Sequence, residues 1–258
     1  MKLEGVSALV TGGAGGLGEA TSRQLVAAGA HVVIADVNDE VAGKLAADLG
    51  PKALYVRTDV TNEESVQAAI AAAQELAPLR VAVNAHGGST GGGGGRLVSR
   101  DGTPHALEPF QLTLNLFLTG TFNVMRLAAA AMAGQEPVGD SGRGVIVNTA
   151  SIAAFEGQIG QVAYSAAKGG VVGMTLVAAR DMAAAGVRVV TIAPGTFMTP
   201  AFRAEPEVLE ERFGKTVPFP NRMGRPPEYA ALVQHIVEND YLNGEVIRLD
   251  GALRFSPK

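Results

Sequence analysis

Short, β-branched apolar runs alternate with helix-like runs along almost the whole chain, and this alternation restricts the fold more than any other feature. The run at 6–11 predicts a buried strand. The run at 17–28 that follows it has helical spacing and stops at Gly29, a residue typical of helix ends. Repeated strand–helix pairs of this kind predict a parallel sheet covered by helices.

The same pattern places the remaining elements. We predict further strands at 31–36, 53–56, 79–84, 144–149, 187–193 and 245–249. We predict further helices at 38–49, 61–77, 107–133, 160–184, 205–214 and 226–239, with Thr61 and Glu64 forming a capping box. The fold class that follows is α/β: one Rossmann-type, doubly wound parallel sheet of about seven strands, with helices on both faces.

Two segments interrupt the alternation. Residues 87–103 hold eight glycines, five of them consecutive, and predict a mobile surface loop. Residues 195–224 are rich in Pro, Phe and Met and follow a predicted strand, so they predict a substrate lid at the ligand-binding edge of the sheet. Neither segment has the character of an interdomain linker, and we expect one domain over residues 1–258.

Composition excludes several classes of function. With 47% apolar and 18% charged residues among 258, the chain can bury a sizeable core. A net charge of −4 is too acidic for a general nucleic-acid binder, and the absence of cysteine excludes disulfides and thiol catalysis. Four scattered histidines predict no metal site. No uninterrupted apolar run approaches ~18 residues and a strand begins almost at once, so we expect no membrane span, no signal peptide and a cytoplasmic protein.

Residues 11–18 read TGGAGGLG, which satisfies both G-x-G-x-x-G and T-G-x-x-x-G-x-G. Glycines between a strand and a helix allow a tight turn that brings backbone N–H groups up to a pyrophosphate. Asp36 ends the second strand, where a carboxylate accepts hydrogen bonds from the adenosine ribose. Because that carboxylate repels a 2′-phosphate and no Arg or Lys occurs at 12–22 or 37–39, the sequence predicts NAD rather than NADP. Asp59 with Val60 fits an adenine contact, although Asp59 also suits a turn before Thr61.

Tyr164 and Lys168 are four residues apart in a helical segment and therefore share one face. Ser151 follows the predicted strand at 144–149, at the ligand-binding edge. A free phenol has a pKa near 10, and an ammonium ~4 Å away favours its ionised form by about 4 kcal/mol at an effective dielectric near 20, before desolvation opposes it. These residues therefore predict oxidation of an alcohol, with Tyr164 as acid/base, Lys168 lowering its pKa and Ser151 holding the substrate oxygen.

Together, the glycine turn and the Ser–Tyr–Lys order resemble the short-chain dehydrogenase/reductase superfamily. The resemblance implies that Ser151, Tyr164 and Lys168 are catalytic. It also implies that the nicotinamide lies beside the segment after the sixth strand. The implied NAD-binding residues are Gly12, Gly15, Gly16, Leu17, Gly18, Asp36, Asp59, Val60, Asn84, Ala85, Tyr164, Lys168, Pro194, Gly195, Phe197 and Thr199.

Three longer strings resemble one branch, the short-chain L-3-hydroxyacyl-CoA dehydrogenases, also called 17β-hydroxysteroid dehydrogenase type 10. They are NTASIAAFEGQ at 148–158, VPFP at 217–220 and NGEVIRLDGA at 243–252. This resemblance implies a fatty 3-hydroxyacyl-CoA or a 2-methyl-3-hydroxyacyl-CoA as substrate, NAD as cofactor and a homotetramer. Five apolar residues of the predicted lid have two equally compatible interpretations. They line a slot for the acyl chain, or they only pack the lid: Phe197, Phe202, Phe213, Val217 and Phe219.

Two positions depart from the family pattern. Relatives carry an Asn three residues before the position of Gly120, where this chain has Phe117; Asn115 cannot replace it without a local bulge in the helix. His86 stands where the family has a small residue, and it fits an obstruction of the nicotinamide, a substitute proton path or a solvated loop histidine.

Three functions stay open on the sequence. The first is an NAD-dependent 3-hydroxyacyl-CoA dehydrogenase. The second is a dehydrogenase for steroids or other secondary alcohols. The third is an NAD-binding scaffold with weak turnover, which the residues at 86 and 117 favour.

Overall fold

The computed structural model describes residues 1–87, 94–202 and 204–257 and contains one seven-stranded, all-parallel sheet of order β3-β2-β1-β4-β5-β6-β7. This confirms the predicted fold class. The strands are β1 (Ser7–Thr11), β2 (His31–Asp36), β3 (Ala53–Arg57), β4 (Leu79–Asn84), β5 (Gly144–Thr149), β6 (Val187–Pro194) and β7 (Val246–Leu249). Each lies within one residue of its predicted bounds.

Helices cover both faces of the sheet, as the alternating pattern predicts. They are α1 (Gly16–Ala27), α2 (Asp39–Leu49), α3 (Glu63–Leu76), α4 (Leu107–Leu114), α5 (Gly120–Ala133), α6 (Val162–Asp181), α7 (Pro206–Arg212) and α8 (Pro226–Glu238). One apolar cluster joins α1, α2 and α8 to one face of the sheet, and a second cluster joins α3, α5 and α6 to the other. Along β1, Val10 belongs to the first cluster and Leu9 to the second, because successive side chains of a strand point to opposite faces.

The strand order reverses between β1 and β4, and this position locates the ligand crevice. The chain proceeds outward from β1 through β2 to β3, then returns to place β4 on the other side of β1. Connections leave in opposite directions at that point, which opens a crevice beyond the carboxyl ends of the strands. The glycine turn, Asp36 and Thr149 all lie at this edge.

One local prediction is wrong. The N-cap of α3 is Asn62, whose side chain accepts from the Ser65 N–H, while Thr61 bonds the Asp59 carboxylate instead. Helical structure runs through the whole range expected at 107–133, with a π turn, Asn115–Thr119, between α4 and α5.

The predicted glycine loop falls partly outside the described residues, since 88–93 are not among them. Its described part is held at two places. The Gly95 N–H donates to the Gly160 carbonyl, and Val98 forms an antiparallel bridge with Pro104.

Two helical segments are long and apolar enough to span a membrane by length and composition alone, a property that core helices of a sheet share. They are Leu107–Ala133, half buried, and Val162–Asp181, one third buried. In this fold α5 packs on β4 and β5, and α6 packs on β6. Both segments are therefore core helices of the sheet, each with an outer face that the described chain leaves open.

The turn between β1 and α1 is closed by backbone-to-backbone contact. Gly12 has φ +60°, in the left-handed region that glycine tolerates. Gly18 packs directly over Gly12, since a Cβ on Gly18 would lie 2.0 Å from the Gly12 carbonyl oxygen. The first turn of α1 therefore sits against the end of β1.

We expect Gly18→Ala to lower the free energy of unfolding by about 1–3 kcal/mol, because the methyl group meets backbone that has no room to move. Gly43→Ala is the matched control. A Cβ at this position in α2 meets nothing within 4 Å. This control should stabilise by about 0.5–1 kcal/mol through helix propensity. Urea unfolding measures both, and equal stabilities for the two variants would contradict the proposed packing.

Candidate active site

A cavity of about 690 Å³ occupies the crevice beyond the carboxyl ends of the strands. Its size suits a cofactor or drug-sized ligand. Residues from the glycine turn, from the ends of β2 to β6 and from α6 line it: Gly12, Ala14, Gly15, Gly16, Leu17, Asp36, Val37, Asn38, Thr58, Asp59, Val60, Ala85, His86, Gly87, Leu116, Phe117, Thr149, Ala150, Ser151, Tyr164, Lys168, Pro194, Gly195, Phe197, Thr199, Pro200, Ala201 and Phe202.

The glycine turn forms one wall of the cavity and leaves room for an anion. Gly15 is the N-cap of α1 and has no side chain to occupy the N–H groups of the first turn. A Cβ on Gly16 would lie 2.8 Å from the Thr199 side chain, so the start of α1 and the segment after β6 enclose the same space. Free N–H groups and the positive end of the helix dipole at a glycine-lined wall fit the pyrophosphate of a dinucleotide.

Asp36 is fixed at the end of β2 by backbone N–H groups. Oδ2 accepts from Ala14 at 3.0 Å, and Oδ1 accepts from Asn38 at 3.0 Å. These two bonds hold the carboxylate against the glycine turn, at the cavity wall. A carboxylate has further lone pairs, which leaves acceptors for sugar hydroxyls.

Fourteen of the sixteen residues predicted to bind NAD line the cavity, and two do not. Gly18 is used in packing against Gly12. Asn84 is 2% exposed and lies within the sheet, where its Nδ2 donates to Asn148 Oδ1 at 2.8 Å and its carbonyl accepts from Thr149 Oγ1 at 2.6 Å. Both residues therefore contact residues of the cavity wall or of the sheet beneath it, without lining the cavity themselves. Asp59 lines the cavity and accepts from the Thr61 N–H at 2.9 Å, as expected for the turn, while its contact with adenine stays a prediction.

Ser151, Tyr164 and Lys168 meet at one end of the cavity. Tyr164 and Lys168 are one turn apart on α6, and Ser151 follows β5 as the cap of a short 3₁₀ turn, Ile152–Ala154. The Ser151 hydroxyl hydrogen-bonds the Tyr164 phenol. Lys168 Nζ donates to the Thr149 carbonyl at 2.7 Å. The predicted trio is therefore assembled by two neighbouring elements.

The pKa values in this trio are governed by burial. Burial raises the pKa of Tyr164, and the hydrogen bond from Ser151 lowers it by less. Burial also lowers the pKa of Lys168 to about 7. The Lys168 amine lies 5.8 Å from the Tyr164 ring centroid. Of the two opposing effects expected for Tyr164, the ammonium of Lys168 and desolvation, desolvation is the larger in the protein without ligand, and it is the main effect on Lys168 as well.

Phe117 occupies the space beside the trio. Its ring is 6% exposed and meets the Tyr164 ring edge to face, with centroids 5.3 Å apart and planes at 86°. The Lys168 amine lies 4.8 Å from the same ring centroid. Asn115 is exposed despite the π turn that begins there, so it does not replace an amide at this place.

His86 is 8% exposed, so the interpretation as a solvated loop histidine is wrong. Nδ1 lies 2.8 Å from Thr11 Oγ1, and Nε2 lies 3.3 Å from Thr121 Oγ1. Burial, with the nearby Lys168 charge, lowers the pKa of His86 to about 3, partly offset by a hydrogen bond to the Leu116 carbonyl. The ring is neutral at physiological pH.

The five apolar residues assigned to an acyl slot separate into groups. Phe197 and Phe202 line the cavity, and Phe213 stacks on Phe202 with centroids 5.2 Å apart. Val217 packs elsewhere, with Ile152 and Leu253. Phe219 is 82% exposed. Of the two interpretations left open, Phe197 and Phe202 are placed to line a slot, whereas Val217 takes part in packing on the body of the protein.

Sequence reasoning missed several lining residues. Ala14, Val37, Asn38, Thr58 and Ala150 adjoin predicted residues in the chain, and the rule that ligands bind at carboxyl strand ends would have included them. Leu116 carried no such signal, since it reaches the cavity through the π turn.

Comparison with known proteins agrees with this geometry. A family described as short chain dehydrogenase matches residues 7–209. A Drosophila melanogaster protein named 3-hydroxyacyl-CoA dehydrogenase type-2 is 50% identical, over 96% of this chain and 97% of its own length.

Two solved structures extend the comparison. The 3-hydroxyacyl-CoA dehydrogenase type-2 of Mycobacterium avium has a TM-score of 0.95 and 54% identity, covering 98% of each chain. A 3-ketoacyl-(acyl-carrier-protein) reductase of Brucella melitensis, complexed with NADH, has a TM-score of 0.82 and 27% identity, covering 97% of this chain and 98% of its own.

Proposed function

We propose, from the premise that the chain belongs to the short chain dehydrogenase family, that it is an NAD-dependent 3-hydroxyacyl-CoA dehydrogenase. The reaction interconverts an (S)-3-hydroxyacyl-CoA and the 3-oxo form. One observation carries the proposal: Ser151, Tyr164 and Lys168 meet in the cavity that the glycine turn encloses. Relatives named for this activity match this chain over nearly its whole length, which supports the choice of substrate class.

The cavity residues fit NAD from end to end. The glycine turn would hold the pyrophosphate, Asp36 the adenosine ribose, and Asp59 with Val60 the adenine. Lys168 would hold the nicotinamide ribose, and the segment containing Gly195 and Thr199 the nicotinamide amide. When bound, NAD supplies the hydride acceptor for oxidation or the hydride donor for reduction.

Tyr164 handles the proton. Its raised pKa keeps the phenol protonated at neutral pH, so the protein by itself is prepared to donate a proton to the oxygen of a 3-oxo substrate. In the opposite direction the phenol must first lose that proton, which a charged neighbour favours. The Ser151 hydroxyl, already bonded to the phenol, would hold the substrate oxygen beside it.

Asp36 supports NAD over NADP. Its carboxylate is held by two backbone N–H groups and therefore cannot turn away from a 2′-phosphate. Among the lining residues that the structure describes, Lys168 is the only Lys or Arg. No cation is therefore placed to compensate the repulsion at the adenosine end.

Apolar helix faces support an oligomer, and we propose the homotetramer that the sequence predicts. Large apolar side chains on α4, α5 and α6 are 45–57% exposed: Leu112, Phe122, Val162, Leu176 and Val177. Such a surface on neighbouring helices suits contact with a second copy of this chain.

The cytoplasmic location stays a prediction.

Tyr164→Phe should reduce kcat/KM for acetoacetyl-CoA reduction about 10²- to 10⁴-fold while leaving NADH affinity nearly unchanged, because only the transferable proton is lost. The loss of NADH absorbance at 340 nm measures the rate. Tyr241→Phe is the control, since Tyr241 is 99% exposed. No NADH consumption by the native protein, or equal rates for the native protein and Tyr164→Phe, would refute the proposal. A higher kcat/KM for steroids than for acetoacetyl-CoA would instead identify the protein as a steroid dehydrogenase.

Asp36→Asn should shift the NADH/NADPH ratio of kcat/KM at least ~10-fold towards NADPH, because it removes one negative charge near the 2′-phosphate at similar shape. Asp48→Asn removes an exposed carboxylate on α2 that does not line the cavity, and should leave the ratio unchanged. A native protein that uses NADPH as well as NADH would contradict the assignment.

Sedimentation velocity should give a particle of four times the 26.4 kDa chain mass. Leu176→Glu should reduce that mass, because it places a charge in the apolar face. Val41→Glu, at a 44% exposed site on α2, is the control and should not. A native particle of one chain at micromolar concentration would exclude the oligomer.

A further inference from the structure

The surroundings of the Lys168 ammonium are unusual for a charged group. Lys168 is 3% exposed, and within residues 1–87, 94–202 and 204–257 the Thr149 carbonyl is its one hydrogen-bond acceptor. An ammonium has three N–H donors. On another side it meets the Phe117 ring, with Nζ 4.8 Å from the centroid. An aromatic face attracts a cation at this distance.

The π turn places Phe117 there. In Asn115–Thr119 the Gly120 N–H bonds the Asn115 carbonyl, five residues back, instead of the usual four. The extra residue rotates the side chains that follow relative to α4. Phe117 is consequently buried beside α6, while Asn115 stays exposed.

His86 holds the π turn in position. Its neutral ring contacts Thr11 of β1 on one side and the Leu116 carbonyl and Thr121 on the other. The Thr121 hydroxyl in turn donates to the Phe117 carbonyl at 2.8 Å. The π turn is therefore tied to the end of the sheet through one buried imidazole.

We propose that Phe117 is a positioning residue for Lys168: the ring face holds the ammonium, the ring contact with Tyr164 fixes both groups of the trio, and the His86-anchored π turn aims the ring. The position and pKa of the Lys168 ammonium do not depend on the proposed function. Only the effect of that ammonium on turnover rests on the proposed function.

The proposal predicts the direction in which the Phe117 ring shifts the pKa of Lys168. Attraction by the ring favours the charged amine, while burial favours the neutral amine and lowers the pKa of Lys168 to about 7. The titratable groups that face Lys168 are Tyr164, on the same helix, and His86, just after β4. The carboxylates that line the cavity are Asp36, at the end of β2, and Asp59, after β3. The ring therefore keeps the Lys168 amine protonated in a fraction of the protein molecules near neutral pH.

Two substitutions separate positioning from simple filling of space. Phe117→Leu keeps the site dry but removes the aromatic face, so the pKa of Lys168 should fall by about one unit at most. Phe117→Asn brings a carboxamide oxygen and water to the ammonium, so the pKa should rise. A ring that only fills volume predicts no fall in Phe117→Leu, because leucine also excludes water, and a rise in Phe117→Asn alone.

The direct measurement is an NMR titration of ¹³C-lysine-labelled protein, with the Lys168 signal assigned by Lys168→Arg. It needs neither cofactor nor substrate, so it is independent of the proposed function. The high-pH limbs of NADH affinity and of kcat/KM for acetoacetyl-CoA reduction should move in the same directions as the pKa. Loss of turnover in the native protein would refute the proposed function and leave the NMR test intact.

Phe155→Leu is the matched control, because the Phe155 ring holds Arg248 at 5.1 Å outside the cavity lining. It should leave the Lys168 titration unchanged. An unchanged titration in Phe117→Leu, or a rise, would overturn the proposal. If Phe117→Asn fails to fold by circular dichroism, the sign of the Phe117→Leu shift still decides.

The role of His86 is tested by coupling. In a His86→Ala background the effect of Phe117→Leu on the Lys168 titration should shrink, because the ring is no longer held against the amine. Full additivity of the two substitutions would show that His86 does not aim the ring.

Discussion

Direct packing of Gly18 on the Gly12 carbonyl determines the position of the ligand-binding cavity. No side chain fits between these two backbones, so the first turn of α1 packs against the glycine turn that follows β1. Its first N–H groups consequently point towards the crevice where the strand order reverses, between β1 and β4. The carboxyl ends of the neighbouring strands then bring Asp36, Thr149 and Pro194 to the same cavity.

Withdrawal from water is the second constraint, and it acts on both members of the Tyr–Lys pair. Each group shifts towards its neutral form, since burial raises the pKa of Tyr164 and lowers that of Lys168. A simple calculation from two charges in a medium of uniform dielectric omits this cost. The protein alone therefore favours proton donation by the phenol, and whatever stabilises the ammonium governs how far the balance moves the other way.

The departures from the family pattern, His86 and Phe117, belong to one structural unit. The imidazole fills the space between β1 and the π turn, and the turn directs the aromatic ring onto the trio. Considered separately, each residue suggested an impaired site. Considered together, they supply a dry, aromatic support for Lys168, which weakens the argument for a scaffold without turnover.

The sequence alone determined the strands, most helix bounds, the parallel sheet, the glycine turn and the trio Ser151, Tyr164 and Lys168. Each depends on periodicity or spacing within one or two adjoining elements, which a linear pattern records. Only the tertiary structure decided the π turn, the burial of His86, the ring of Phe117 on Lys168 and the withdrawal of Asn84 from the cavity. A π turn and an α turn differ little in local hydrogen bonding, so packing against residues far away in the chain selects between them, as when Thr11 meets His86. Burial, which sets the pKa values of the site, likewise exists only after distant elements have come together.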